Sequence, residues 1–205
     1  EIFSPNHFAD LYSAGFGMVS ALNSNIITNS DFFVSTFNSS YNNALSGVFD
    51  VRMRAGNNSR FENTVQVGSV GVEWTSEGPI SRKNNSSFIL NYRYGMSTIA
   101  RKLKLIDTYG SQYDFQDLSF KLNFPTKKAG TFSLFALGFI DKSWDVELDI
   151  KDIQTIYDAS EQKGRLYNSA VGATHKIHFN SKWTWRTTLA YNMQRNKVDM
   201  EYWGL

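Results

Sequence analysis

The stretch QDLSFKLNFPTKKAGTFSLFALGFI, residues 116–140, decides the fold. Its first arm alternates Leu118, Phe120, Leu122 and Phe124 with Asp117, Ser119, Lys121 and Asn123. A β-strand sends successive side chains to opposite faces, so this arm has one apolar and one polar side. Pro125 has no N–H for a ladder and Gly130 tolerates positive φ, so PTKKAG reads as a tight polar reversal. The second arm, Thr131 to Ile140, completes a β-hairpin. TFSLFALGFI carries apolar residues at both parities, so periodicity leaves its outward register open. The question for the rest of the chain is whether the apolar face meets a protein core or lipid.

Working outward, Ser87 to Gly95 alternates in the same way, with Phe88, Leu90, Tyr92 and Tyr94 against Ser87, Asn91 and Arg93. Arg165 to Phe179 reads as a strand, NSK as a turn, and Trp183 to Gln194 as another strand. In the last, Trp183, Trp185, Leu189 and Tyr191 oppose Arg186 and Asn192. Phe61 to Thr75 reads as one long β run, with Gly68 and Gly71 marking a bulge or close backbone approach. EGPISRKNNS after it is a polar turn. STIARKLKLI, within the connection 96–113, has the look of a short helix, and Asp141 to Gly164 is a long acidic and aromatic connection. Nearer the start, NIITNSDFFVSTFNSS gives one or two short strands and Gly47 to Arg54 another. Residues 1–25 are weakly patterned, a short helix or loop.

Composition narrows the classes. Hydrophobic residues make up 41% and aromatic ones 15%, with three Pro and no Cys. That content excludes wholesale disorder, and the lack of Cys excludes disulfides and thiolate metal sites. A formal net charge of +2 with scattered Lys and Arg argues against a nucleic-acid partner. No run of about 18 apolar residues exists, so a transmembrane helix is not expected. Transmembrane strands are a different matter, because about 9–11 alternating residues suffice for each.

The connections carry the next step. Those at 78–86, 125–130 and 180–182 are short, while those at 96–113, 141–164 and beyond 194 are long. Short and long are thus expected to alternate strictly, placing short turns at one end of a meander and long loops at the other, the asymmetry of an outer-membrane barrel. Tyr92, Tyr94, Phe124, Phe179, Trp183 and Trp185 lie near strand ends, where interfacial girdles belong. On this reading Leu118, Phe120, Leu122, Phe124, Trp183, Trp185, Leu189 and Tyr191 face lipid. Asn91, Arg93, Lys121, Asn123, Arg186 and Asn192 face the lumen, where they contact a plug, a substrate or water. A soluble β-sandwich stays open, since it too has one apolar and one polar face.

The phrases NSDFFVSTFNSSYNNALSGVFDVRMRAGN, EGPI with SSFILNYRYG, and YDFQDLSFKLNFPTKKAGTFSLFALGFID span roughly half of the chain. In their order and spacing they resemble TonB-dependent outer-membrane receptors, in the branch with a carboxypeptidase-regulatory-like domain before the plug. The resemblance implies an all-β protein: an antiparallel up-and-down transmembrane β-barrel segment of about six strands, residues 57–205, preceded by the end of a plug, residues 1–56. Such barrels have about 22 strands, so the chain is expected to be an internal piece of a longer receptor. The implied activity is import of a scarce nutrient, small or oligomeric, energised through TonB. The implied partners are outer-membrane lipid, TonB through a segment before Glu1, and a surface lipoprotein lid. No cofactor, metal or enzymatic activity is implied. The other functional readings are a carbohydrate-binding β-sandwich, with Trp144 to Tyr157 as its binding loop, and a passive porin-like barrel.

Catalytic constellations are absent from the pattern. His175 and His178 have opposite parity in a strand and cannot share a metal. His7 has only Asp10 nearby in sequence. Asp145, Glu147 and Asp149 lack the glycine and distal glutamate of an EF-hand. Ser69 in GSVG is followed by no helix, unlike a hydrolase elbow.

Overall fold

The computed structural model describes residues 6–8, 19–34, 38, 41, 47–68, 71–96, 103–104, 111–145 and 160–202. It is all-β, with no helix among these residues. Two short hairpins come first, β1 (Asn6–His7) with β2 (Val19–Ser20) and β3 (Asp31–Val34) with β4 (Gly47–Asp50). An isolated bridge joins Ile27 to Met53. A seven-stranded sheet follows: β5 (Glu62–Gly68), β6 (Gly71–Ser81), β7 (Ser86–Met96), β8 (Ser111–Pro125), β9 (Thr131–Asp145), β10 (Ser160–His178) and β11 (Thr184–Tyr202). Each strand pairs antiparallel with the next, so the order is that of an up-and-down meander with β5 and β11 at its edges.

Several expectations change. The run 61–75 is not one bulged strand but parts of two, β5 and β6, with Gly68 paired to Gly71 across a reversal. β-formers on both sides of the glycines hid the turn. The sheet therefore holds seven strands rather than about six. This reversal lies at the same end of the meander as the connections after β7 and β9, so short and long connections do not alternate strictly. EGPISRKNNS is mostly strand, because β6 continues to Ser81 and a register shift between Pro79 and Ser81 absorbs the proline. The turn is confined to 82–85, where Asn85 takes a φ of 55°. β4 stops at Asp50, short of Arg54. β9, β10 and β11 all run further than their alternation suggested, the last two to 19 residues each. The helix expected in STIARKLKLI lies outside the described residues except for a turn at Leu103 and Lys104. So do most of residues 1–25, of Asp141 to Gly164 beyond Asp145, and Ser69.

Cross-strand pairing settles the register that alternation left open. Phe124 sits opposite Phe132, Leu122 opposite Leu134, and Phe120 opposite Ala136. The outer set of the second arm is thus Phe132, Leu134 and Ala136. Phe135, Leu137 and Phe139 join Lys121, Ser119 and Asp117 on the inner side. The same outer face continues through Val171 into Tyr191, and through Ile177 into Trp185.

Burial divides the two faces in an inverted way. On the outer side Leu118, Leu134, Val171, Trp185, Leu189 and Tyr191 are all exposed, Leu189 to 77%. On the inner side Asn91, Asp117, Ser119 and Asp141 are buried. A soluble sheet gains its stability by hiding its apolar face and wetting its polar one. Among the described residues this sheet instead buries those polar groups beside inward Ile89, Phe115, Phe139 and Leu166, and leaves its apolar outer face open.

Candidate functional site: the seam between the N-terminal segment and the inner sheet face

What buries the polar face is the segment before β5. Its most buried contact is His7 at the end of β1, fully enclosed between neighbouring strands. Nδ1 lies 2.5 Å from Asp141 Oδ1 on β9, and Nε2 lies 3.1 Å from Asp117 Oδ2 on β8. The Phe8 backbone N–H donates to the other Asp141 oxygen at 2.8 Å. Phe115 and Phe139 flank the imidazole, with ring centroids at 4.2 and 5.2 Å. Both ring nitrogens point at carboxylates, so the imidazole bridges two anions rather than ligating a metal. Burial pushes His7 towards its neutral form. Hydrogen bonds and charge from Asp117 and Asp141 outweigh that, and the net effect raises its pKa above the ordinary histidine value.

Arg93 of β7 extends the cluster. Its Nε donates to Asp117 Oδ2 at 2.7 Å, its Nη2 donates to the Ser20 carbonyl, and its guanidinium lies 5.2 Å from the Phe115 centroid. A second clasp forms around Glu77 of β6. Arg54 donates to both its carboxylate oxygens, at 2.8 and 2.7 Å, and the Asn57 backbone N–H adds a third bond at 2.7 Å. The same Arg54 donates Nε to the Asn25 carbonyl, while Asn25 Nδ2 donates to Glu73. Lys121 of β8 donates to the Met53 carbonyl at 2.6 Å. Gly56 completes the seam by close approach, since a Cβ there would lie 1.8 Å from the Phe88 carbonyl oxygen.

The residues assigned to the lumen side divide accordingly. Arg93 and Lys121 bind the N-terminal segment directly. Asn91 is buried and donates to Glu73 and Thr75, one residue removed from that segment. Asn123 accepts from Ser133 on the neighbouring strand. Arg186 and Asn192 share this parity on edge strand β11, opposite Lys176 and Ala170, and Arg186 lies within electrostatic reach of Lys121. Buried within the seam, Asn91 Oδ1 and Asp117 Oδ1 have no hydrogen-bond partner.

His7, Asp117, Asp141, Arg54 and Glu77 were not legible as a site. The partners of His7 are 110 and 134 residues away in sequence, and only the strand register brings them together. The usable signal was the inward parity of Asp117 among the polar positions of β8. His175 and His178 lie apart, as their parity required: His175 stacks on Phe132 at 4.3 Å and His178 bonds Thr184. Chemically, the seam holds the N-terminal segment to the sheet by charge and hydrogen bonding. Its paired carboxylates, Asp117 and Asp141, are bridged by His7, and Asp117 also takes Arg93 of the same chain. Comparison with family models, curated proteins and solved structures gave no match to this chain.

Proposed function

We propose that the chain forms part of an outer-membrane receptor of the TonB-dependent kind: a plug-like N-terminal segment docked on the inner wall of a transmembrane β-barrel, binding and importing a scarce nutrient. One observation carries this reading. The sheet leaves its apolar face exposed and occupies its polar face with a preceding segment of its own chain, through His7, Arg54 and the backbone at Ser20 and Met53. A lipid-facing wall around a polar, filled lumen has that arrangement. From Trp185 to Met193 the outward residues run for about nine positions, within the roughly 9–11 that a tilted strand uses to cross. Trp183, Trp185 and Phe179 gather at one end of that span, where an aromatic girdle sits.

The mechanism is gating rather than covalent chemistry. Hydrogen bonds and ion pairs at the seam hold the segment in place, and energy coupled through TonB displaces it to open a path. A carbohydrate-binding sandwich needs a second layer over the apolar face, and a passive porin needs an unobstructed inner wall. Among the described residues no second layer covers the apolar face and the inner wall is occupied, which favours the receptor reading over these two. The test uses the native full-length protein in cells. Heat-modifiable migration from detergent-extracted membranes, and uptake lost on deletion of TonB, are the expected results. Partition wholly into the aqueous fraction would overturn the membrane reading, and uptake unchanged without TonB would overturn the energised one.

A further inference from the structure

Above the apolar span, towards the end of β10 and β11 away from their connecting turn, the outer face changes character within one residue pair. Met193 lies opposite Ser169, and the next outward pair is Arg195 opposite Tyr167. One step further, Lys142, Arg165 and Lys197 form a row across three strands, each directly opposite the next. All three are exposed. Like charges opposed across a ladder repel, so such a row is unfavourable unless an anion sits among them. Among the described residues, two acidic groups face the row. Asp199 takes the Lys197 ammonium at 2.8 Å on the exposed edge, and Asp114 of β8 is opposite Lys142. Among the described residues Arg165 and Arg195 remain as surplus positive charge beside Tyr167 and Met193, around an open groove.

We propose that this groove binds the phosphate-bearing headgroup of a membrane lipid, with the lipid's acyl chains lying on the apolar span below. The inference rests on the membrane reading given above. Charge complementarity selects an anion, and the planar guanidinium of Arg165 suits two phosphate oxygens. Continuity with Met193, Tyr191, Leu189 and Val171 selects an amphiphile over a free ion. Tyr167, apolar in body and polar at its tip, stands at the boundary between the two.

The test takes full-length protein in detergent, titrated with phosphatidylglycerol or phosphatidylcholine and read by native mass spectrometry. Wild type is expected to retain phosphatidylglycerol in preference to phosphatidylcholine, increasingly so at low salt. Arg165→Gln with Lys197→Gln should weaken that retention roughly 30-fold, the loss of two basic contacts at a membrane surface. The single Arg165→Gln variant should fall in between, and it serves alone if the double variant loses heat-modifiable migration. Equal retention of the two lipids, unchanged retention by the variants, or displacement by millimolar inorganic phosphate would each overturn the lipid site. Flotation with vesicles separates the two readings: protein that floats but shows no lipid preference retains the membrane reading and loses this one.

Discussion

His7 Nδ1 and Asp141 Oδ1 lie 2.5 Å apart although 134 residues separate them, and both side chains are fully removed from solvent. Asp117 closes the cluster from the adjacent strand, and Arg93 pairs with Asp117 in turn. Two carboxylates on a sheet wall are thereby neutralised by one cation from the wall and one from the N-terminal segment. Removing the second leaves Asp141 enclosed without its charge partner. His7→Ala should therefore release the segment, at a cost of about 3–5 kcal/mol. Limited proteolysis before residue 60 should accelerate at least tenfold, while the β7–β9 meander stays protected. Equal protection of both regions would mean that His7 does not hold the segment.

The same contact predicts a pH dependence, and its sign follows from the raised pKa of His7. A group whose folded value is raised contributes stability that is fully present below its unfolded value and lost as pH rises through the folded one. Docking should thus be strongest below about pH 6.5, the ordinary histidine value, and should weaken as pH climbs through the higher folded one. Proteolysis rates of the N-terminal segment across pH 5 to 9, taken against His7→Ala as the flat control, measure this. A profile that weakens towards acid would contradict the assignment.

Arg54 and Glu77 form the second clasp, and the bidentate geometry makes it the stronger candidate for a measurable pair energy. Arg54→Ala and Glu77→Ala should each destabilise docking. Their double-mutant cycle should return a coupling of about 1–3 kcal/mol by denaturant unfolding. Each single variant should cost more than that coupling, because Glu77→Ala also leaves the Asn57 N–H without its carboxylate acceptor and Arg54→Ala also loses the bond to the Asn25 carbonyl.

Gly130 ends the turn between β8 and β9 with a φ of 79°, and a Cβ there would lie 2.3 Å from the Lys176 carbonyl. Gly130→Ala should cost more than about 1 kcal/mol, combining left-handed strain with backbone collision. A shift in the denaturation midpoint with an unchanged slope is the expected readout.

That turn is legible in the sequence itself. Proline, glycine and a polar run between two β-like arms specify a reversal by local chemistry alone, and PTKKAG contains all three. The turn between β5 and β6 is not, because Gly68 and Gly71 sit within continuous β-formers and glycine in a strand signals a bulge as readily as a reversal. Alternation fixed which side of β8 and β11 was apolar. It failed on β9, where Phe135, Leu137 and Phe139 face inward as apolar residues on a largely polar wall. Phe139 is spent there on Leu166 and Ala21, a small apolar patch between sheet and N-terminal segment. Such a patch depends on tertiary docking and leaves no period in the chain. The seam was illegible for the same reason, since His7, Arg54 and Glu77 acquire meaning only from partners that the register supplies.

Leu134 offers the sharpest discrimination between an apolar face awaiting lipid and one awaiting protein or water. It is 47% exposed, flanked by Leu122 on β8 and Ala173 on β10. Its position within the apolar span places it towards the middle of a bilayer on the proposed reading. Leu134→Arg should then destabilise the membrane-inserted protein by about 2–4 kcal/mol, while Ser133→Arg on the opposite face should follow different rules set by the lumen. If the face were wet, an added arginine would be close to neutral, within about 0.5 kcal/mol as for ordinary surface substitutions. Urea unfolding of the full-length protein from vesicles, with Leu134→Ala to remove the side chain without adding charge, separates these outcomes. A loss confined to Leu134→Arg supports lipid contact. Matching stabilities for the arginine and alanine variants would mean that the outer face of the hairpin does not meet a hydrocarbon interior.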